Sequence, residues 1–191
     1  MTYVLPTVIS QSIEGVDLTA IYAPYVQTTA ISASNSPDSP GPPFALGTRC
    51  NGTNGSVWVF ATTATTIAQY QVCAINQVFS AALVGGAGAA TAVPEGLAMI
   101  IGFYQNSTSM TTGQFAWFMI SGVPTVLVAS AGISVPLYTL DTAGALTGAT
   151  NTVSHYQVSG ITCVVTASGS TVSATQTVAN SVSVRKPLAG A

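Results

Sequence analysis

The amino-acid sequence predicts an all-β fold, a compact β-barrel or β-sandwich-like domain with an extended N-terminal arm. The chain has 191 residues, which is enough for one ordinary domain with a sizeable core. Its polar side chains are mainly 26 Thr and 20 Ser, which favour strands and turns over helix interiors. The residues that favour exposed helix faces are few, namely Glu14, Arg49, Glu95, Arg185 and Lys186.

A second observation is the near absence of charge. Only 4% of the residues are charged, three Lys and Arg against five Asp and Glu, whereas an average soluble domain has about 25%. With a net charge of -2 and no basic run longer than Arg185-Lys186, the chain cannot neutralise a row of phosphates or be drawn to anionic lipid. We therefore expect neither nucleic acid nor a membrane as a partner.

The third observation is that 48% of the residues are hydrophobic, which excludes an intrinsically disordered chain. No residue from 96 to 140 is charged, but Gly and Pro interrupt this run at strand-and-turn spacing. It therefore cannot form an apolar helix of about 20 residues. The first residues lack the basic and apolar regions of a secretory signal, so we expect no export.

The chain divides into three segments. Residues 36–43 contain four prolines, which remove backbone donors and fix φ, and this segment is predicted to be a stiff linker. Residues 1–35 form an arm that is too apolar for a solvated tail, so it packs on the main domain or on a neighbouring subunit. Residues 44–191 form the β domain.

The first half of the β domain opens with two turn signals. The dipeptides Asn51-Gly52 and Asn54-Gly55 favour tight turns and precede the apolar strand at residues 57–60. Residues 69–75 alternate and predict a one-sided strand. Residues 85–90 are small and predict a flexible loop.

The second half continues with short apolar segments. Residues 98–104 and 115–120 are apolar on both faces, which predicts strands inside a closed barrel or covered by another subunit. A tight hairpin at residues 121–125 is predicted to join the second of these to the next strand. A turn at residues 140–144 separates two further strands, and the chain is predicted to end in a strand.

Chemistry-bearing residues are scarce. The best nucleophilic triad would combine Cys163 or a serine with His155 and Asp141, but no local motif supports it. We interpret His155 as an exposed or edge-strand residue, and Cys73 and Cys163 as small buried hydrophobes. A single His with scattered carboxylates does not predict a metal site, and residues 85–88 lack the rest of a phosphate-binding motif. We therefore expect no catalytic residue, metal or cofactor, and no enzyme.

The aromatic residues of the strand-like segments are predicted to form the core or a subunit interface, while a sugar-binding groove is the alternative reading. The candidate contacts with another subunit or with a larger assembly are Tyr3, Leu5, Ile21, Tyr22, Tyr25, Trp58, Phe60, Trp117 and Phe118.

Four segments carry a resemblance to a known family. Residues 46–60 resemble a Gly-rich turn followed by an aromatic strand, and residues 67–75 resemble the segment after it. Residues 113–122 are similar to a strand that closes on glycine, and residues 137–146 (LYTLDTAGAL) are similar to a Leu-Tyr-Thr hairpin. With these four segments the chain resembles the head decoration, or capsid-stabilising, proteins of tailed bacteriophages.

The resemblance implies a small β-barrel-like fold and association as homotrimers or similar clusters on the capsid. It also implies the major capsid protein as partner and the virion surface as location, after synthesis in the host cytoplasm. Two alternatives stay open at this point: a tail, neck or fibre component of the virion, and a carbohydrate-binding β-sandwich module.

Overall fold

The computed structural model describes residues 16–24, 42–85, 100–140, 142–148, 157–164, 166–176 and 184–185. Within these ranges the chain forms thirteen strands and no helix, which confirms the all-β prediction. The strands are β1 Ile21–Tyr22, β2 Arg49–Asn51, β3 Val57–Thr63, β4 Val72–Ile75, β5 Ser80–Leu83, β6 Ile100–Phe103, β7 Phe115–Ser121, β8 Thr125–Ala131, β9 Pro136–Thr139, β10 Leu146–Thr147, β11 Gln157–Cys163, β12 Ala167–Gln176 and β13 Val184–Arg185.

The first sheet closes on itself. Its order is β1-β7-β6-β4-β5-β3-β2, and β7 also pairs with β3, so that strands β3 to β7 form a closed barrel. Strands β3 and β5 run parallel, and the other pairs of the barrel are antiparallel. Strands β1 and β2 extend the sheet from β7 and β3.

The second sheet repeats this arrangement. Its order is β12-β8-β10-β9-β11-β13, and β12 also pairs with β11. Strands β8 to β12 therefore form a second closed barrel, again with its first and third strands parallel and its other pairs antiparallel. The chain thus contains two five-stranded barrels with one strand order, in tandem.

The wall of the first barrel is buried on both faces. Alternate residues of its strands belong to two separate apolar clusters, as the strand period of two requires. One cluster holds Trp58, Phe60, Val72, Ala74, Ile101, Phe103, Trp117 and Met119, and continues into Val126, Val128, Leu137, Leu146, Val158, Ile161 and Cys163 of the second sheet. The other cluster holds Val59, Ala61, Cys73, Ile75, Ala81, Ala116 and Phe118. The first cluster therefore joins the two barrels through one apolar core.

Backbone hydrogen bonds also connect the barrels. Gly144 N–H donates to the carbonyl of Val84 (2.6 Å), and the carbonyl of Gly144 accepts from Val72 N–H (2.9 Å). The buried side-chain amide of Gln105 pairs with the backbone of Thr125 as a strand would, donating at 2.9 Å and accepting at 3.1 Å. These bonds satisfy polar groups that would be costly to bury unpaired.

The predicted one-sided strand at residues 69–75 is wrong. The strand is β4, and all four of its residues are buried, because β4 lies between β5 and β6 and both faces of that sheet are covered. Tyr70 has a φ of 66°, a left-handed conformation that lies outside the allowed strand region. The strand therefore begins after this residue.

The predicted hairpin at residues 121–125 is also wrong. Strands β7 and β8 do not pair, since they belong to different barrels. Gly122 between them has a φ of 121°, which only glycine adopts readily. This segment therefore carries the chain from the first barrel to the second.

Other predictions are confirmed. The turn at residues 51–55 leads from β2 into β3, which pair antiparallel. Residues 142–144 of the second predicted turn lie between β9 and β10, which also pair antiparallel. Strands β6 and β7 are apolar and packed on both faces inside a closed barrel. Residues 86–90 of the predicted loop lie outside the described residues.

The described part of the N-terminal arm packs on the main domain of its own chain. Strand β1 pairs with the start of β7, and Leu18 is buried in the core that joins the barrels. Residues 1–15 and 25–35 of the arm, and residues 36–41 of the linker, lie outside the described residues.

The contact between the barrels predicts the effect of Gly85→Ala. A Cβ at Gly85 would collide with the backbone oxygen of Leu140, and its φ of +76° strains any L residue. We expect a loss of about 2–4 kcal/mol in the free energy of unfolding, from overpacking and backbone strain together. Gly55→Ala is the matched control, because it has a φ of +70° and open space and should lose only about 1–2 kcal/mol. Urea unfolding measures both variants. If they lose the same free energy of unfolding, the close contact of Gly85 with Leu140 is contradicted.

Candidate functional site

Five aromatic rings form one cluster on the first barrel, as part of the core that joins the barrels. Phe60 and Trp117 form its base with ring centroids 5.2 Å apart. Phe44 packs edge-on to both, at 5.5 and 5.3 Å. Tyr22 lies edge-on to Phe60, with ring centroids 5.7 Å apart. Phe115 stacks on Phe60, with ring centroids 6.1 Å apart. The edge-to-face geometry is the one that aromatic quadrupoles favour.

The cluster has a buried base and a half-buried rim. Phe60 and Trp117 are almost fully buried, whereas Tyr22, Phe44 and Phe115 are partly exposed. The indole Nε1 of Trp117 has no hydrogen-bond partner.

The segment that holds Tyr22 is fixed on the barrel by side-chain and backbone bonds. The exposed carboxylate of Asp17 accepts from the backbone N–H of Thr19 at 2.8 Å, which shapes the turn before β1. The buried amide of Asn106 donates from Nδ2 to the carbonyl of Thr19. Residues 16–24 are therefore bound specifically, although β1 pairs over only two residues.

An exposed apolar tip projects from the β4–β5 turn. Val78 is 68% exposed, and Asn76 Oδ1 accepts from the backbone N–H of both Val78 (3.1 Å) and Ser80 (2.9 Å). Phe79 next to it has a φ of 55°, which is unusual for a bulky residue and is a sign of strain. The turn thus presents Val78 rigidly to solvent.

The second barrel has an apolar tip of the same kind. Ile133, in the β8–β9 turn, is 62% exposed, and Val164 is 40% exposed. The backbone next to each is joined by one hydrogen bond, in which Ser134 N–H donates to the carbonyl of Cys163 at 2.8 Å. Ser134 also has a positive φ, 62°. Each barrel therefore carries an exposed aliphatic residue on a turn with left-handed backbone.

Charge contributes little to these surfaces. In the part of the chain that the structure describes, the charged residues are Asp17, Arg49 and Arg185. Among the same residues no group of three His, Cys, Asp or Glu could hold a metal ion. In that part, too, no helix is long and apolar enough to span a membrane.

The three cysteines are all buried. Cys50, Cys73 and Cys163 are free and buried, which confirms the interpretation of Cys73 and Cys163 as small buried hydrophobes. Burial raises the pKa of Cys50 to about 11 and also raises the pKa values of Cys73 and Cys163. A nucleophilic cysteine needs a lowered pKa, and burial shifts the pKa of Cys163 in the opposite direction. His155 and Asp141 lie outside the described residues.

Four of the predicted contact residues are buried within the chain. Trp58, Phe60, Trp117 and Phe118 are at most 2% exposed, because alternate residues of β3 and β7 fill the two cores of the barrel wall. Within the chain, the ring of Tyr22 covers part of Phe60, and the other three side chains belong to the cores of the barrel wall. For the same reason the two tryptophans do not line a sugar-binding groove.

The remaining candidates divide into two groups. Ile21 and Tyr22 are half-buried in β1. The ring of Tyr22 lies at the rim of the ring cluster, whereas Ile21 packs against the other core of the barrel wall. Tyr3, Leu5 and Tyr25 lie outside the described residues. The aromatic pattern missed Phe44, whose only signal is its place directly after the proline-rich linker.

No protein-family model and no curated protein matches the chain. Function is therefore inferred from the residues and the surface of the chain itself.

Burial of the thiols predicts a pH dependence of stability. The unfolded thiols ionise near pH 9, whereas the folded chain holds them protonated to higher pH. The unfolded state therefore binds fewer protons above pH 9, and the free energy of unfolding should fall from there toward pH 11. Urea unfolding across this range checks it. In the Cys50→Ala variant the free energy of unfolding should fall less steeply with pH. A free energy of unfolding that rises with pH in this range would contradict burial of the thiols.

Proposed function

We propose that the chain is a structural protein of a phage virion, which binds the outer surface of the capsid as a small oligomer and stabilises it. The observation that carries the proposal is an almost uncharged surface with aliphatic side chains held at rigid turn tips. The resemblance of residues 46–60, 67–75, 113–122 and 137–146 to decoration proteins supports the same role.

The physical requirements of such a role fit the surface. A docked protein of this kind runs no reaction, and its affinity comes from buried apolar area and hydrogen bonds, less the costs of association. Val78 and Ile133 supply apolar area without needing a charged partner. Because their turns are held by backbone and Asn76 bonds, little conformational entropy is lost when they are buried.

The proposed partners are the major capsid protein and further copies of the chain, associated as a homotrimer. The proposed location is the capsid surface. An uncharged contact also avoids the desolvation cost of buried ions, which suits a protein that stays attached once it has docked.

Substitution of the apolar tip tests the docking surface. Val78→Ser removes apolar area from an exposed side chain, and burial of a valine is worth about 1.5–3 kcal/mol. We expect the affinity for DNA-free capsid shells of the encoding phage to fall about tenfold or more, measured by co-sedimentation. Gln77→Ser, in the same turn and also exposed, is the matched control and should bind as the natural chain does. If both variants bind the shells equally well, Val78 is not part of the docking surface.

Salt dependence tests the nature of the contact. With few ions to rearrange, the affinity for the shells should change less than about threefold between roughly 50 and 500 mM NaCl. The same co-sedimentation measurement, repeated at each salt concentration, checks this. Release of the chain at moderate salt would show that ionic contacts hold it instead.

A further inference from the structure

Strand β1 is an addition to the first barrel and is not needed to close it. The barrel is complete when β7 pairs with β3 and β6. The second barrel has the same strand order and is closed by β8 to β12 alone. A ring of this order therefore closes without a strand in the place of β1, and residues 16–24 are a docked segment.

The site that receives this segment is defined by three kinds of contact. The edge of β7 at Phe115 and Ala116 pairs with Tyr22 and Ile21. The buried amide of Asn106 donates to the backbone of the segment. The third contact is apolar: Leu18 is buried in the core, and the ring of Tyr22 lies on Phe60.

The chain that follows the segment is long enough to reach another molecule. Seventeen residues, 25–41, separate the docked segment from residue 42, and a chain of that length spans up to about 60 Å when extended. A folded chain of this length has a radius of gyration of only about 16 Å. The docked segment of one copy can therefore reach the β7 site of an adjacent copy.

We propose that copies of the chain exchange this segment when they assemble, so that residues 16–24 of each copy occupy the β7 site of a neighbour. The exchanged contacts are the same as those within one chain, so the exchange needs no new surface. This proposal does not depend on the capsid role, because it concerns only contacts between copies.

Split cysteine pairs test the exchange in the full-length chain. One tagged chain carries Tyr22→Cys and a second, differently tagged chain carries Phe115→Cys, and the two are co-expressed. Paired residues of an antiparallel ladder lie about 4.5–5.5 Å apart, within the range of a disulfide. We expect a mixed-tag disulfide dimer on a non-reducing gel after oxidation. The natural cysteines are buried and should give little background.

The control uses the other edge of the same strand. Thr62 of β3 also pairs with Phe115, but β3 is part of the closed ring and cannot exchange without opening it. Thr62→Cys with Phe115→Cys on separate chains should give at least tenfold less mixed dimer.

The exchange is overturned if the Tyr22 pair yields no more mixed dimer than this control, while Tyr22→Cys and Phe115→Cys in one chain form an internal disulfide. If the Tyr22 variant does not fold, the neighbouring pair, Ile21→Cys with Ala116→Cys, gives the same decision.

Discussion

The structure depends on closing two β-sheets into rings almost without ionic groups. In a closed ring the backbone N–H and C=O groups of each strand find partners on both sides, so polar satisfaction does not depend on charged side chains. Closure through the β3–β7 and β11–β12 pairs leaves the side chains to fill the cores. The core that joins the barrels follows from this arrangement, since one face of the first barrel wall continues into the second sheet.

The all-β class could be read from the sequence because it depends on composition, which is rich in Ser and Thr and poor in residues that favour helix surfaces. Turns at Asn51-Gly52 and near Gly144 were also predictable, because the dipeptides and glycine encode local conformation. The pairing of β7 with β3 was not predictable, because the two strands are more than 50 residues apart in the sequence. Likewise Gln69, Gln71 and Cys73 alternate with apolar residues, but the sequence does not say that β4 will be covered on both faces.

The candidate surface was predictable only in part, for a related reason. Aromatic residues in apolar segments signal burial, but burial within a subunit and burial between subunits give the same pattern. The structure shows that Trp58 and Trp117 are in the core. Val78 and Ile133 are single aliphatic residues in turns and produce no periodic signal. Their exposure becomes visible only when the Asn76 bonds and the backbone of Ser134 are known.

A nearly uncharged chain with rigid apolar tips is suited to permanent attachment to another surface, and a capsid is the surface that we propose. Electron microscopy of purified virions, with the chain located by an antibody or a fused tag, tests this claim most directly. The account predicts label in many copies spread over the head. Label confined to one vertex or to the tail would identify a neck, tail or fibre component, and virions without label would show that the chain is not a structural protein of the particle.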